Sequence, residues 1–214
     1  MLAVRERVLG PEHLDTFESR TNLAAVLQAQ GKNAEAEAEH RAVLAVVERV
    51  LGSEHPGTLR IRNNLALSLQ GQKKTAEAEA EHRTVLALRE RVLGPEHPDT
   101  LVSRGNLAGV LQEQGKSAEA TAEHSALLAL VQRVLGPEHP DIFICHYNMA
   151  LCLERLGDEQ DKAGQKDAAR VLWRVGLDHA RTVKAAGARV FGKEHPHLER
   201  FDSEVADLEA KLKE

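Results

Sequence analysis

Aromatic side chains are scarce: one Trp, one Tyr and four Phe in 214 residues. Any core must therefore be built from Ala, Leu and Val, without the large area that each ring buries. Positive charge is not in excess either. The 28 Lys and Arg face 33 Asp and Glu, a formal net charge of −5, so no global positive field favours nucleic acid or an anionic membrane surface. Long apolar runs are missing, and nothing approaches the roughly 20 apolar residues that a spanning helix needs. The N-terminal "MLAVRERVLG" has neither an apolar stretch nor a small-residue cleavage site. These absences predict a soluble cytoplasmic protein with no nucleic-acid or membrane partner. Only two cysteines are present, Cys145 and Cys152. Seven residues apart on one predicted helix, they are separated by about 10 Å along its axis, beyond disulfide reach, and are expected to be small core residues.

What the chain has in abundance is repetition. "RVLGPEHPDT" from Arg91 returns as "RVLGPEHLDT" from Arg7, "RVLGSEHPGT" from Arg49 and "RVLGPEHPDI" from Arg133, with a looser "RVFGKEHPHL" from Arg189. The intervals are 42, 42, 42 and 56 residues, and a fixed period of this size signals a solenoid in which each unit packs on its neighbours. The repeated stretch is a helix stop followed by a helix start. Gly94 suits the left-handed position that closes a helix, and Pro95 cannot continue it. His97, Pro98 and Asp99 then open the next helix, with Pro at its first position and Asp near the positive end of the dipole. After the turn, Leu101, Arg104, Leu107, Ala108 and Leu111 recur at offsets of three and four, which predicts an amphipathic helix A. A second series, Ala120, His124, Leu127, Leu128, Val131, Val134 and Leu135, predicts helix B after Gly115.

The stretch "NLAAVLQAQGKNAEAEAEHRAVL", Asn22 to Leu44, resembles the tetratricopeptide repeat in its Asn-Leu-Ala, its Gly before the turn and its small Ala in helix B. The 42-residue period and the linker "LGPEHPDT" resemble the kinesin light chain subclass, including its bacterial members. The resemblance implies an all-α, right-handed solenoid of antiparallel helix pairs with helix A on the concave side. Two features depart from the pattern: Lys73 stands where Gly31 and Gly115 stand, and Arg20, Arg62, Arg104 and His146 replace the usual aromatic anchors. The chain is read as one array: a partial helix B at 1–9, regular repeats at 12–51, 54–93 and 96–135, an extended repeat at 138–191 and a capping helix at 196–213. A chain that starts inside a helix B is expected to leave an unsatisfied apolar face on its first full helix. The 14 extra residues of the fourth repeat divide into about seven on each helix, two turns apiece; a polar surface loop is the alternative. The series Ala168, Leu172, Val175, His179, Val183, Ala186 and Val190 is expected to face inward on the longer helix B. On the capping helix the inward set is Leu198, Phe201, Val205, Leu208 and Leu212.

Four asparagines recur on the groove side of helix A: Asn22, Asn64, Asn106 and Asn148. Asn is a poor interior helix residue, and its amide offers donors and an acceptor to an extended backbone. In similar repeats this Asn contacts bound peptides, so the resemblance implies the same here. The competing reading is that it ties neighbouring helices together. Gln28, Gln70, Gln112 and Glu154 form a second ladder, and Asn63, Arg60, Tyr147 and Arg155 add charge and stacking against Glu18, Glu113 and Glu154. The neighbours Thr21, Ala25, Val102 and Gly105 are not the Lys and Arg that clamp acidic chaperone tails. Five histidines belong to the repeated turn, and His40, His82 and His124 recur in helix B; copies 42 residues apart do not converge on a metal ion. The runs "AEAEAEH" are expected to be a solvated face with pairs Glu37–Arg41 and Glu79–Arg83.

No Gly-rich phosphate loop, nucleophile elbow or paired metal motif is present, so neither an enzyme nor a cofactor is expected. The leading expectation is an adaptor that binds a partner protein's extended or helical segment in the concave groove. The alternatives are a filament-associated protein, with a bacterial tubulin homologue as partner by analogy, and the sensor part of a larger signalling protein.

Overall fold

The computed structural model describes residues 2–10, 13–137, 139–191 and 197–213, without the side chains of residues 14, 186–191, 197–199 and 201. Among the described residues are ten α-helices and no strand. They fall into two compact units, residues 1–110 and 111–214. The first holds α1 (Leu2–Leu9), α2 (Leu14–Ala29), α3 (Asn33–Leu51), α4 (Pro56–Gly71), α5 (Thr75–Leu93) and most of α6 (Pro98–Glu113). The second holds α7 (Ser117–Leu135), α8 (Pro140–Lys162), α9 (Lys166–Phe191) and α10 (His197–Lys211). Within each unit consecutive helices pack on one another, α2 on α3, α3 on α4 and α4 on α5, then α7 on α8, α8 on α9 and α9 on α10.

The repeated turn does what its residues predict. Gly94 has φ 90° and its N–H bonds to the Glu90 carbonyl at 3.1 Å, which closes α5 in a conformation that a Cβ resists. The histidine of the turn then caps the next helix. His13, His55, His97 and His139 each accept, through Nδ1, the backbone N–H two residues on, at 3.1–3.2 Å. These imidazoles satisfy a donor that a helix start leaves orphaned. The looser fifth turn, with His195, lies outside the described residues. Lys73 adopts the left-handed φ of 63° that Gly31 and Gly115 approach in their copies, so the departure in sequence leaves the turn unchanged.

The A-helices of residues 56–71 and 98–113 bury Leu59, Leu65, Ala66, Leu69, Leu107, Ala108 and Leu111. Helix B contributes Ala36, Val43, Ala78, Val85, Ala120 and Val131, with His40, His82 and His124 enclosed among them. Burial lowers the pKa of all three imidazoles, to about 4 for His82 and His124, so they are neutral core groups. Val134 and Leu135, expected inward, are exposed at the C-terminal end of α7. On α2 the copies of core positions Leu65 and Ser68, namely Leu23 and Val26, are exposed, an apolar face on the first full helix.

The acidic runs are less solvated than expected. Glu37 does pair with Arg41 (2.7 Å) and Glu79 with Arg83 (2.8 Å). Glu37 is nevertheless largely covered, because it also receives Lys74 Nζ at 2.8 Å and Gln72 Nε2 at 2.7 Å from the next repeat. Its pKa falls to about 2, chiefly through the Lys74 hydrogen bond.

In the second unit the insertion is helical. α8 has 23 residues against 16 in α4, and α9 has 26 against 19 in α5, seven more in each. The inward series on α9 is the expected one only in part. Of the expected series Val183 is buried, Leu172 and His179 are half-buried and Ala168 and Val175 are exposed, while Ala169, Trp173, Gly176, Leu177 and Ala180 are buried instead, so over the first half of α9 the face is rotated by about one residue. Ala186 and Val190 lie outside the described side chains. The rotation follows from Trp173, whose indole lies so close against Gly157 of α8 that a Cβ there would collide with Nε1. Val205 and Leu208 of α10 complete this core, with Leu212 packed at its edge, and Leu198 and Phe201 lie outside the described side chains. Cys145 and Cys152 are both buried and unpaired. No helix among the described residues is long and apolar enough to cross a membrane.

Candidate functional site

The positions where helix A departs from the aromatic pattern organise each unit. In the first unit, Arg20 pairs with Glu6 (2.6 Å) and Glu39 (3.1 Å). Arg62 pairs with Glu48 and, at 2.7 Å, with Glu81, and Arg104 pairs with Glu90. Each arginine links the preceding helix B to its own repeat. The constant offsets Glu6–Arg20–Glu39 and Glu48–Arg62–Glu81 were visible in the sequence, but their meaning needed the helices placed side by side. In the second unit the corresponding residues are His146 and His179, whose Nδ1 atoms lie 2.6 Å apart. One ring carries the proton and the other accepts it. Burial lowers both pKa values, and the neighbouring His179 lowers His146 further, to about 4.

A second substitution opens a cavity. Arg5 of α1 donates to the Asp15 carbonyl (3.0 Å) and Ser19 Oγ (2.6 Å). Arg89 of α5 does the same with the Asp99 carbonyl (2.9 Å) and Ser103 Oγ (2.8 Å). The residues at the corresponding places on α3 and α4 are Val47, Gly57 and Ile61. Where the long guanidinium would lie there is a cavity of about 340 Å³. Val43, Val47, Leu51, Phe17 and Ile61 form its apolar walls, and Asp15, Glu18, Asn22, His55 and Arg60 its polar rim. This brings two sequence candidates, Asn22 and Arg60, to one concave place with opposite charges on either side. Sequence reading missed the cavity, although the Arg-to-Val and Asp-to-Gly changes between copies were its signal.

The other candidates divide by surroundings. Asn22 and Arg60 are exposed, and Asn63, Asn64, Asn106, Asn148, Gln28, Gln70, Gln112 and Tyr147 are half-buried. Asn106 Nδ2 donates to Asn63 Oδ1 at 2.9 Å, a link between successive A-helices. Gln70 Oε1 lies 2.9 Å from His82 Nε2, so this amide partners a core imidazole. In the second unit Arg155 donates to the Gln112 carbonyl at 2.6 Å. Glu154 and Asp158 receive Lys211 of α10 at 2.8 and 2.6 Å, and the same ammonium lies 5.8 Å from the Trp173 ring centroid. Glu204 of α10 is buried, and burial together with Glu154 raises its pKa to about 7. Burial and Glu204 likewise raise that of Tyr147. Among the described residues no three His, Cys, Asp or Glu are grouped to hold a metal ion.

The tetratricopeptide repeat model matches residues 15–80, 61–124 and 104–161. Among solved structures, a single-substitution form of a Podosopora anserina kinesin light chain protein with nearly identical TPR-like repeats aligns with TM-score 0.74 at 25% identity, covering 91% of this chain and 85% of that one. A second structure of that protein gives TM-score 0.64 at 24% identity over 93% and 97%. BtubC (BKLC) from P. vanneervenii gives 0.62 at 19% over 85% and 66%, a likeness of fold. No curated protein matches the chain. With an all-α repeat fold, kinesin light chain-like structural neighbours and a family model over most of its length, the chain belongs to the tetratricopeptide repeat family.

Proposed function

We propose that the protein is a non-enzymatic adaptor whose A-helix face in the first unit holds a segment of a partner protein. The observation that carries this is the cavity over Val47 and Ile61. It is concave and apolar-floored, with a few convergent polar groups at its rim, as binding sites are. Asn22 and Asn64 supply amides to a bound backbone, Arg60 supplies a cation, and an apolar side chain of the segment enters the cavity. The experiment uses the fifth helix as a guide: Val47→Arg, Gly57→Asp and Ile61→Ser together reproduce the Arg89–Asp99–Ser103 arrangement and fill the space without a new fold. Calorimetric titration against a partner isolated by pull-down should lose about tenfold or more in affinity, as should Asn64→Ala with Asn106→Ala. Unchanged affinity in both rules the face out.

A second reading, a filament-associated protein touching a polymer by repeated contacts, is favoured by one feature. Val8, Val50 and Val92 occupy the same place at the end of successive B-helices, and all are exposed. Co-sedimentation with polymerised tubulin-homologue filaments that survives the cavity-filling variant but fails when Val50 and Val92 are made Asp supports this reading.

A further inference from the structure

The link between neighbouring helices is rewritten at the fourth repeat. In the first unit an arginine of helix A stands between two carboxylates, as Glu6–Arg20–Glu39 and Glu48–Arg62–Glu81. The same three positions in the second unit hold Gln132 of α7, His146 of α8 and His179 of α9. Gln132 and His146 follow at the 42-residue period, and His179 follows once the 14 added residues are counted. Because seven of these lie on each helix, His146 still faces His179. The charge of the triad is lost as a whole, and two imidazoles from adjacent helices meet in its place.

The two rings are placed as a ligand pair. Both are half-buried, and their Nδ1 atoms are 2.6 Å apart with the ring planes tilted by 43°. A zinc-like ion holds imidazole nitrogens at about 2.0–2.1 Å, so two nitrogens side by side on one ion are roughly 3 Å apart. The pair has to open by only about 0.5 Å for this, each ring turning its lone pair toward the solvent side. At pH 7 an imidazole is largely neutral, the form that binds metal. Neither the cation nor the carboxylates of the regular triad are there to compete, and Asp178 beside His179 adds negative charge. Cys145, next to His146 in the chain, is buried.

We propose that His146 and His179 bind one divalent ion of the late first-row series, Ni(II), Cu(II) or Zn(II), which clamps α8 to α9 as Arg62 clamps its neighbours. Among the described residues no third His, Cys, Asp or Glu joins them, so water fills the other coordination positions. On binding, the ring that carries the Nδ1 proton passes to its Nε2 tautomer. Both Nδ1 lone pairs then face the ion, and no net proton is released.

The test titrates the full chain with Ni(II), which does not oxidise the buried thiols, by calorimetry and by thermal unfolding followed through Trp173 fluorescence. One ion should bind, and about 1 mM Ni(II) should raise the midpoint by roughly 5 °C or more. Co(II) should act more weakly and Mn(II) not at all, the order that nitrogen ligands impose. His146→Asn and His179→Asn, each still able to hydrogen-bond the remaining imidazole, should lose about tenfold or more in affinity and the midpoint rise with it. If either variant fails to fold, the wild-type chain with isotope-labelled His decides. Ni(II) should broaden the ring signals of His146 and His179 before those of the exposed turn residues His55 and His97. Affinity unchanged in both variants, an equal rise with Mn(II), earlier broadening at a turn histidine, or no bound ion each overturn the proposal.

Discussion

The repeats of the first unit and the long helix pair of the second solve one packing problem with different chemistry. In the first unit, pairing an A-helix with its flanking B-helices relies on arginine: Arg62 reaches Glu48 and Glu81. In the second, the same place on α8 holds His146 facing His179. The α8–α9 pair also carries an indole wedged against Gly157 and hydrogen-bonded to Asp158 Oδ1 at 3.0 Å. Seven residues added to each helix complete two turns, so the face toward the neighbour survives while contact lengthens. A repeat can thus be enlarged in whole turns, here with a histidine pair and an indole where the regular repeats place an arginine and its carboxylates.

Removing the wedge is the largest way to break this comparison. Trp173→Ala should destabilise the second unit by about 3–5 kcal/mol, measured by denaturant unfolding with a probe in each unit, and leave the first unit's transition in place. Gly157→Ala tests the same contact from the other side and should also destabilise, since Nε1 and Cδ1 of the indole lie where the added Cβ would be. Acid comes next. The buried imidazoles of His40 and His82 have pKa values lowered in the fold, so the unfolded chain takes up protons first as pH falls. Their contribution is complete above about pH 6.5 and is lost as pH falls toward about 4, on the order of 3 kcal/mol for His82. A first unit equally stable at pH 7 and pH 4.5 would contradict that assignment. Arg62→Met should cost roughly 1–2 kcal/mol, less in high salt, whereas His146→Met should show no such salt dependence.

Much of the fold was legible because the signals are local. Gly94 and His97 write the turn by backbone preference and capping, and a 42-residue period places every helix to within a few residues. The division of 14 extra residues into seven and seven was likewise legible, since only whole turns keep the apolar stripe aligned. The register of α9 was not. Ala168, Leu172 and Val175 on one side, and Ala169, Trp173, Gly176 and Leu177 on the other, both have helical spacing. The choice between them rests on how Trp173 fits Gly157 across two helices. The cavity was hidden for the same reason, being the difference between a Val at one position and an Arg in another copy. The two candidates it unites, Asn22 and Arg60, were chosen on residue type.

The turn gives the smallest effects. Gly94→Val should cost roughly 1 kcal/mol or more because a β-branched residue resists positive φ, while His97→Asn, which keeps a capping side chain, should leave the unfolding midpoint nearly unchanged.

The central claim is that the A-helix face of the first unit, not the exposed ends of its B-helices, meets the partner. The most direct measurement places a photoreactive benzophenone side chain at position 60 or at position 50 and irradiates the chain with its partner. Covalent adducts from position 60, lost on filling the cavity, are the predicted result; adducts from position 50 alone would contradict it.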